Sequence, residues 1–160
     1  MAKATLAGLS TLGIQLAYGV ETSKGVKPEA FTFLDRINSI GGITMDVEKI
    51  DASALEDLST KYVAGRADTG GTWEVVVNYT AETSAQWAEL ITAYNDAMKS
   101  ELQMWFEVII PNMNDALFVI AQPPQEIPMP EISQNELLTV SFSLTVVEYK
   151  GASVKVAPAS

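Results

Sequence analysis

Apolar and polar residues alternate with a period of two along several stretches of this chain, and with a period near 3.6 along one. Ile43, Met45 and Val47 point one way while Thr44, Asp46 and Glu48 point the other, which predicts a half-buried strand over Ile43 to Asp51. Trp73, Val75, Val77 and Tyr79 oppose Thr72, Glu74, Asn78 and Thr80, the strongest strand signal in the chain because β-branched and aromatic residues suit a pleated surface. Met104, Phe106, Val108 and Ile110 oppose Gln103, Trp105, Glu107 and Ile109 up to Pro111. A long final strand spans Glu136 to Tyr149, with Leu138, Val140, Phe142, Leu144 and Val146 opposing Thr139, Ser141, Ser143 and Thr145. Gly13 to Val20 and Ala116 to Gln122 complete about six strands.

The helical period lies between the Trp73 strand and the Phe106 strand. Trp87, Leu90, Ile91, Tyr94 and Met98 recur at intervals of three and four, which places them on one face of a helix over about 84–99. Thr83 is the expected cap, with Gln86 answering it as in a capping box. Trp73, Val75, Val77, Trp87, Leu90, Ile91 and Tyr94 are the expected core between helix and sheet. The pattern implies a mainly β domain, an antiparallel sandwich or barrel with one flanking α-helix.

Connections fill the rest. Residues 1–11 are small, weakly polar and without period, as in an arm ordered only against a partner. Glu21 to Gly42 reads as a long connection anchored by Phe31, Phe33 and Leu34, and Asp51 to Leu58 as a helical turn. Residues 59–71, rich in glycine and small polar residues, read as a long loop with Tyr62 and Val63 as apolar anchors. Pro123, Pro124, Pro128 and Pro130 fix a segment that cannot sit inside a sheet, since proline has no amide donor. Residues 151–160 read as a tail, and the 160 residues form one domain.

Composition removes chemistry more than it adds any. There is no histidine and no cysteine, so no Ser-His-Asp or Cys-His nucleophile, no imidazole base, no usual zinc site and no disulfide are available. Asp51, Glu56 and Asp57 lie close together but lack the alternating ligands and turn glycine of a calcium loop, and read as a solvated stretch. The glycines of residues 65–71 lack the GxxxxGK[ST] pattern of a phosphate cradle. No cofactor or metal is expected, and neither a membrane span nor a signal peptide is read.

Net charge is -10, and its distribution is uneven. Between Ala67 and Tyr149 stand Asp68, Glu74, Glu82, Glu89, Asp96, Glu101, Glu107, Asp115, Glu126, Glu131, Glu136 and Glu148 against the single base Lys99. A surface of that sign repels nucleic acid, which binds by phosphate neutralisation.

The order of these pieces resembles the major tail tube proteins of long-tailed, non-contractile bacteriophages. The likeness rests on the Gly13-Ile14 strand, the strand ending in Lys49-Ile50-Asp51, and the Lys61-Tyr62-Val63-Ala64-Gly65-Arg66-Ala67-Asp68 loop. The Trp73 strand, one helix, the strand closing on Ile110-Pro111-Asn112 and the Leu138-to-Tyr149 strand meeting Gly151 follow, so that it covers roughly residues 12 to 151. Tubes of contractile tails and the haemolysin-coregulated protein of type VI secretion share the same architecture class.

The resemblance implies a structural subunit, not an enzyme, that self-assembles into hexameric rings stacked as a tube through which DNA is ejected. Tyr62, Val63, Gly65, Arg66 and Asp68, with the 1–11 arm, would make contacts between rings, Tyr62 and Val63 as buried anchors. Thr44, Asp46, Glu48, Thr72, Glu74, Asn78, Thr139, Ser141, Ser143 and Thr145 would face the lumen, where acidic and hydroxyl groups let DNA pass without specific binding. The implied partners are copies of the chain and the tape measure, tail tip and tail terminator proteins. The implied location is the virion tail, after synthesis in the bacterial host cytoplasm. A monomeric β-sandwich binding module or adhesin fragment is the alternative, and a carboxylate-dependent hydrolase a third, disfavoured one.

Overall fold

A computed structural model of the chain describes residues 13–156 apart from Asp57, Thr69, Gly70 and Asn112. The expected arm at residues 1–11, residues 157–160 of the expected tail, and the side chains of Val47, Glu48 and residues 65–68 lie outside what is described. In chain order the elements are β1 (Gln15–Val20), β2 (Thr32–Leu34), β3 (Ile37–Ile40), β4 (Asp46–Asp51), β5 (Tyr62–Asp68) and β6 (Thr72–Asn78). The helix α1 (Ala81–Lys99) follows, then β7 (Met104–Ile109), β8 (Asp115–Gln122) and β9 (Thr139–Val154).

Seven strands form one antiparallel sheet in the order β2-β1-β7-β8-β9-β6-β3, and β4 pairs with β5 alone. Every strand of the large sheet turns one face onto a common core. Leu16, Leu34, Met104, Phe106, Val119, Ala121, Phe142, Leu144, Trp73, Val75 and Val77 are buried there, and Ile37 and Ile40 pack against it. The same core takes in Trp87, Leu90 and Ile91 of α1, so the sheet curls around the helix instead of lying flat under it. Each fully buried large apolar side chain contributes roughly 1.5–3 kcal/mol relative to its exposure.

The two margins of this curled sheet are β2 and β3, and only Asp35 and Arg36 separate them in sequence. Three virtual Cα–Cα bonds of about 3.8 Å hold Leu34 and Ile37 within about 11 Å of each other, so the margins meet at one corner without a hydrogen-bonded closure. Arg36 takes the left-handed conformation (φ 57°) to make that corner, and its carbonyl accepts from Asn78 N–H at 3.0 Å. Along the seam a cleft of about 320 Å³ is lined by Ile14 and by Ile37 to Ile40.

The outer face of the sheet is divided. Over β8, β7 and β1 a second core buries Ala17, Phe31, Trp105, Ile109, Ala116, Phe118 and Ile120, with Phe33 and Val156 packed against it. Both sides of β7 are therefore covered, which explains its nearly continuous burial. The outer side of β6 and β9 remains exposed.

Several expectations are corrected here. The described residues form nine strands, not six, because β2 and β3 occupy the expected 21–42 connection and β5 occupies the expected 59–71 loop. Strand β9 continues through Gly151 (φ 75°) to Val154 with bulges opposite β8, so the expected tail is partly sheet. The helix starts three residues early because Thr80 is the cap: its hydroxyl accepts from Thr83 N–H at 3.2 Å, and Thr83 Oγ1 accepts from Thr80 N–H at 2.9 Å. Gln86 instead grips Asp35, accepting from its N–H and donating to its carboxylate at 2.7 Å. Met98 is exposed, and Ala97 takes the buried position. Asp51 to Ser53 forms a local turn, Ser53 N–H donating to the Asp51 carboxylate at 2.9 Å, where a helical turn was expected. Among the described residues no helix is long and apolar enough to cross a membrane.

Candidate functional site

Two surfaces stand out, and different physics produces each. The first is the outer face of β6 and β9. Their register sets Thr72 opposite Thr145, Glu74 opposite Ser143, Val76 opposite Ser141 and Asn78 opposite Thr139. Since Trp73, Val75, Val77, Val140, Phe142, Leu144 and Val146 fill the inner core, the period of two sends these partners outward together. Ser141 Oγ donates to Glu74 Oε1, tying the one acid among them to a hydroxyl on the next strand. Strand β3 widens the face, Asn38 Nδ2 donating to Asn78 Oδ1 at 3.2 Å, with Ser39 exposed beside it. The result is a pleated surface of hydroxyl and amide groups.

Seven residues expected on a common polar face are thus brought together: Thr72, Glu74, Asn78, Thr139, Ser141, Ser143 and Thr145. Thr44 and Asp46 are exposed but belong to the approach to β4 and to β4 itself, in the separate two-stranded sheet. The Glu48 side chain lies outside the described residues. Asn38 and Ser39 were missed because a four-residue strand with two polar positions in the middle has no periodic signal. Val76 was missed because it stands inside a run of three valines.

The second surface is the hairpin of β4 and β5. Ala52 N–H donates to Lys61 O at 2.8 Å and Lys61 N–H to Ser53 Oγ at 2.7 Å, closing the hairpin beyond the last paired residues, Asp51 and Tyr62. Hydrogen bonds from Ser53, its backbone N–H first and its hydroxyl second, hold the exposed Asp51 carboxyl below its usual pKa. Among the described residues, none from Thr44 to Gly71 belongs to either core. Ile50, Leu55 and Leu58 are exposed, as are Tyr62 (61%) and Val63 (53%), so the last two are not anchors within this chain. Gly65, Arg66 and Asp68 follow in β5, described for their backbone alone. A lone two-stranded hairpin is marginally stable in water, and this one leaves Ile50, Leu55, Leu58, Tyr62 and Val63 uncovered.

Among the described residues no three acidic side chains converge as a metal site would require. Among the described residues two acids are buried, Glu21 and Glu107, and both sit against the second core, engaged by backbone N–H groups.

No protein-family model matches the sequence, and no curated protein does. Solved structures match throughout the fold. A chain from the tail of an empty gene transfer agent particle, refined with C6 symmetry, is 14% identical with a TM-score of 0.52, covering 88% of this chain and 95% of that one. A chain of the SPP1 tail tube is 14% identical with a TM-score of 0.52, covering 94% of this chain and 81% of that one. A chain of the anti-feeding prophage baseplate is 10% identical with a TM-score of 0.50, covering 94% and 96%. At these identities the likeness is one of fold.

Proposed function

We propose that this chain is the structural subunit of a phage-type tail tube, assembling with its own copies into stacked hexameric rings that form a conduit for DNA ejection. The observation that carries the reading is the β4–β5 hairpin, which exposes Ile50, Leu55, Leu58, Tyr62 and Val63 and is detached from both cores, on a fold shared along nearly its whole length with chains of tail particles. The C6 symmetry of one such particle supports six subunits per ring.

In this reading Ile50, Leu55, Leu58, Tyr62 and Val63 are buried against the next ring, with Gly65, Arg66 and Asp68 following at the same contact. The outer face of β6 and β9 lines the lumen. Hydroxyls and one hydrogen-bonded carboxylate present no cation to phosphate, so DNA slides past. Six copies bring about -60 of net charge to each ring, which repels the polyanion further. The chain would act in the virion tail, beside tape measure, tail tip and tail terminator proteins, after synthesis in the host cytoplasm, and would catalyse nothing.

Negative-stain microscopy of the concentrated protein, seeded with preformed tail tips, tests this. Rings or tubes of uniform bore are expected for the native chain, and a folded monomer with an unchanged unfolding midpoint for the double substitution Leu58→Asp and Tyr62→Asp. A native chain that stays monomeric under those conditions would overturn the reading in favour of a binding module. Glu74→Lys should leave tubes intact and slow DNA ejection.

A further inference from the structure

The C-terminal end of β9 is fastened to the second core by two charged side chains from distant parts of the sequence. Lys27 donates through Nζ to Ser153 Oγ at 3.1 Å and to Val154 O at 2.9 Å, while its ammonium lies 4.5 Å from the centre of the Phe118 ring. Glu107, in the middle of β7 and 0% exposed, accepts from Val156 N–H at 2.8 Å through Oε2. Among the described residues its Oε1 has no hydrogen-bond partner. Val156 packs partly against the second core beside Phe118 and Trp105. Ser153 and Val154 stay paired with Ala116 and Asp115 of β8, and residues 155–156 run on from them over the second core, held at one end through Lys27 and at the other by a buried carboxyl with one idle oxygen.

We propose that residues 155–156 are a strap whose closure is governed by the protonation of Glu107: closed while the carboxyl is neutral, opening when it ionises. A carboxylate buried with one oxygen unpartnered is costly, and residues 155–156 are the part of its surroundings that no strand ladder holds. The neighbours of Glu107 on β1 and β8 are Ala17 and Phe118, which carry no charge. Lys27 comes from the 21–31 segment and Lys155 from the strap itself, while Glu21 and the Lys150–Glu148 pair lie around the adjoining Trp105.

The direction follows from linkage. Burial pushes the Glu107 carboxyl above its usual pKa, and the Val156 N–H, Lys27 and Lys155 pull it back without overturning that rise. An open strap hydrates the carboxyl and returns it toward the ordinary carboxylate range. The closed state therefore holds the proton more tightly. Its advantage is complete below the open-state pKa and is lost as pH rises through the closed-state pKa. Between those two values the open fraction grows by about tenfold per pH unit, and Trp105 and Phe118 lose their cover as it does.

Amide hydrogen exchange resolved by NMR, expressed as protection factors over about pH 4 to 9, tests the proposal alongside carbon-13 titration of the Glu107 carboxyl. Val156 protection should fall with pH and level off at the pH where Glu107 titrates, while amides of β6 stay level. Glu107→Gln should make strap protection independent of pH, and Lys27→Met should lower it at every pH while keeping the dependence. If Glu107→Gln does not fold, the coincidence of that levelling with the native Glu107 titration decides. Level protection in the native chain, a levelling away from the Glu107 titration, or a persistent dependence in Glu107→Gln would overturn the strap.

Discussion

Trp87 of α1 lies flat against Phe142 of β9, their ring centroids 3.9 Å apart and their planes 6° from parallel. This stack joins the helix to the centre of the sheet, and both rings are buried. Phe142→Ala should destabilise the fold by about 3–5 kcal/mol through lost burial and the cavity left behind. Phe142→Leu should cost roughly 1.5 kcal/mol. Urea unfolding followed by far-UV circular dichroism measures both.

Thr83 does more than an ordinary first-turn residue. Its buried hydroxyl donates to Asn78 O at 2.7 Å and accepts from Thr80 N–H, so it knits the end of β6 to the start of α1. Thr83→Val, nearly isosteric, should cost about 2 kcal/mol by stranding both backbone groups. Thr80→Ala, which removes only the cap, should cost about 1 kcal/mol. Thermal unfolding of the two variants should rank them in that order.

Glu21 is a structural acid. Its carboxylate accepts from Gln103 N–H at 2.9 Å, Gly25 N–H at 3.1 Å and Trp105 Nε1–H at 2.9 Å. Glu21→Gln turns one acceptor oxygen into an NH₂ group facing donors. A loss of about 3 kcal/mol is expected, with a shift in Trp105 fluorescence marking where it arises.

Gly41 lets the chain lie close against the backbone of β6. Its N–H donates to Glu74 O at 2.6 Å and its carbonyl accepts from Trp73 Nε1–H at 2.7 Å. A Cβ there would stand 2.9 Å from the Glu74 carbonyl oxygen. Gly41→Ala should therefore cost about 1–3 kcal/mol by prising the chain off β6, whereas Gly42→Ala, with open space around its Cβ, should be nearly neutral in the same unfolding assay.

The sequence was most readable where one face of an element is buried and the other wet. Strands β6 and β9 satisfy that condition, so their alternation located both the strands and the polar face between them. The helix pattern was clear for the same reason, apart from a start set by two competent threonines three residues apart. Strands β2 and β3 are too short to alternate, and each is paired on one side only. Strand β5 hid behind Gly65 and small polar neighbours because its regularity comes from β4, not from burial. Glu107 left a trace that went unused: an acid inside the apolar run Met104 to Ile110 marks a strand covered on both sides. Glu21 left none, since only the folded chain brings Trp105 to it.

The tether of Asp35 and Arg36 sets how this domain can breathe. With Gln86 clamping Asp35 and Asn78 clamping Arg36, that corner works like the pin of a clasp. Away from it β2 bonds to β1 alone and β3 to β6 alone, so among the described residues no ladder hydrogen bond joins the two margins. Any change in the separation of the two margins is therefore a rotation about two residues, with the registers between strands left as they are.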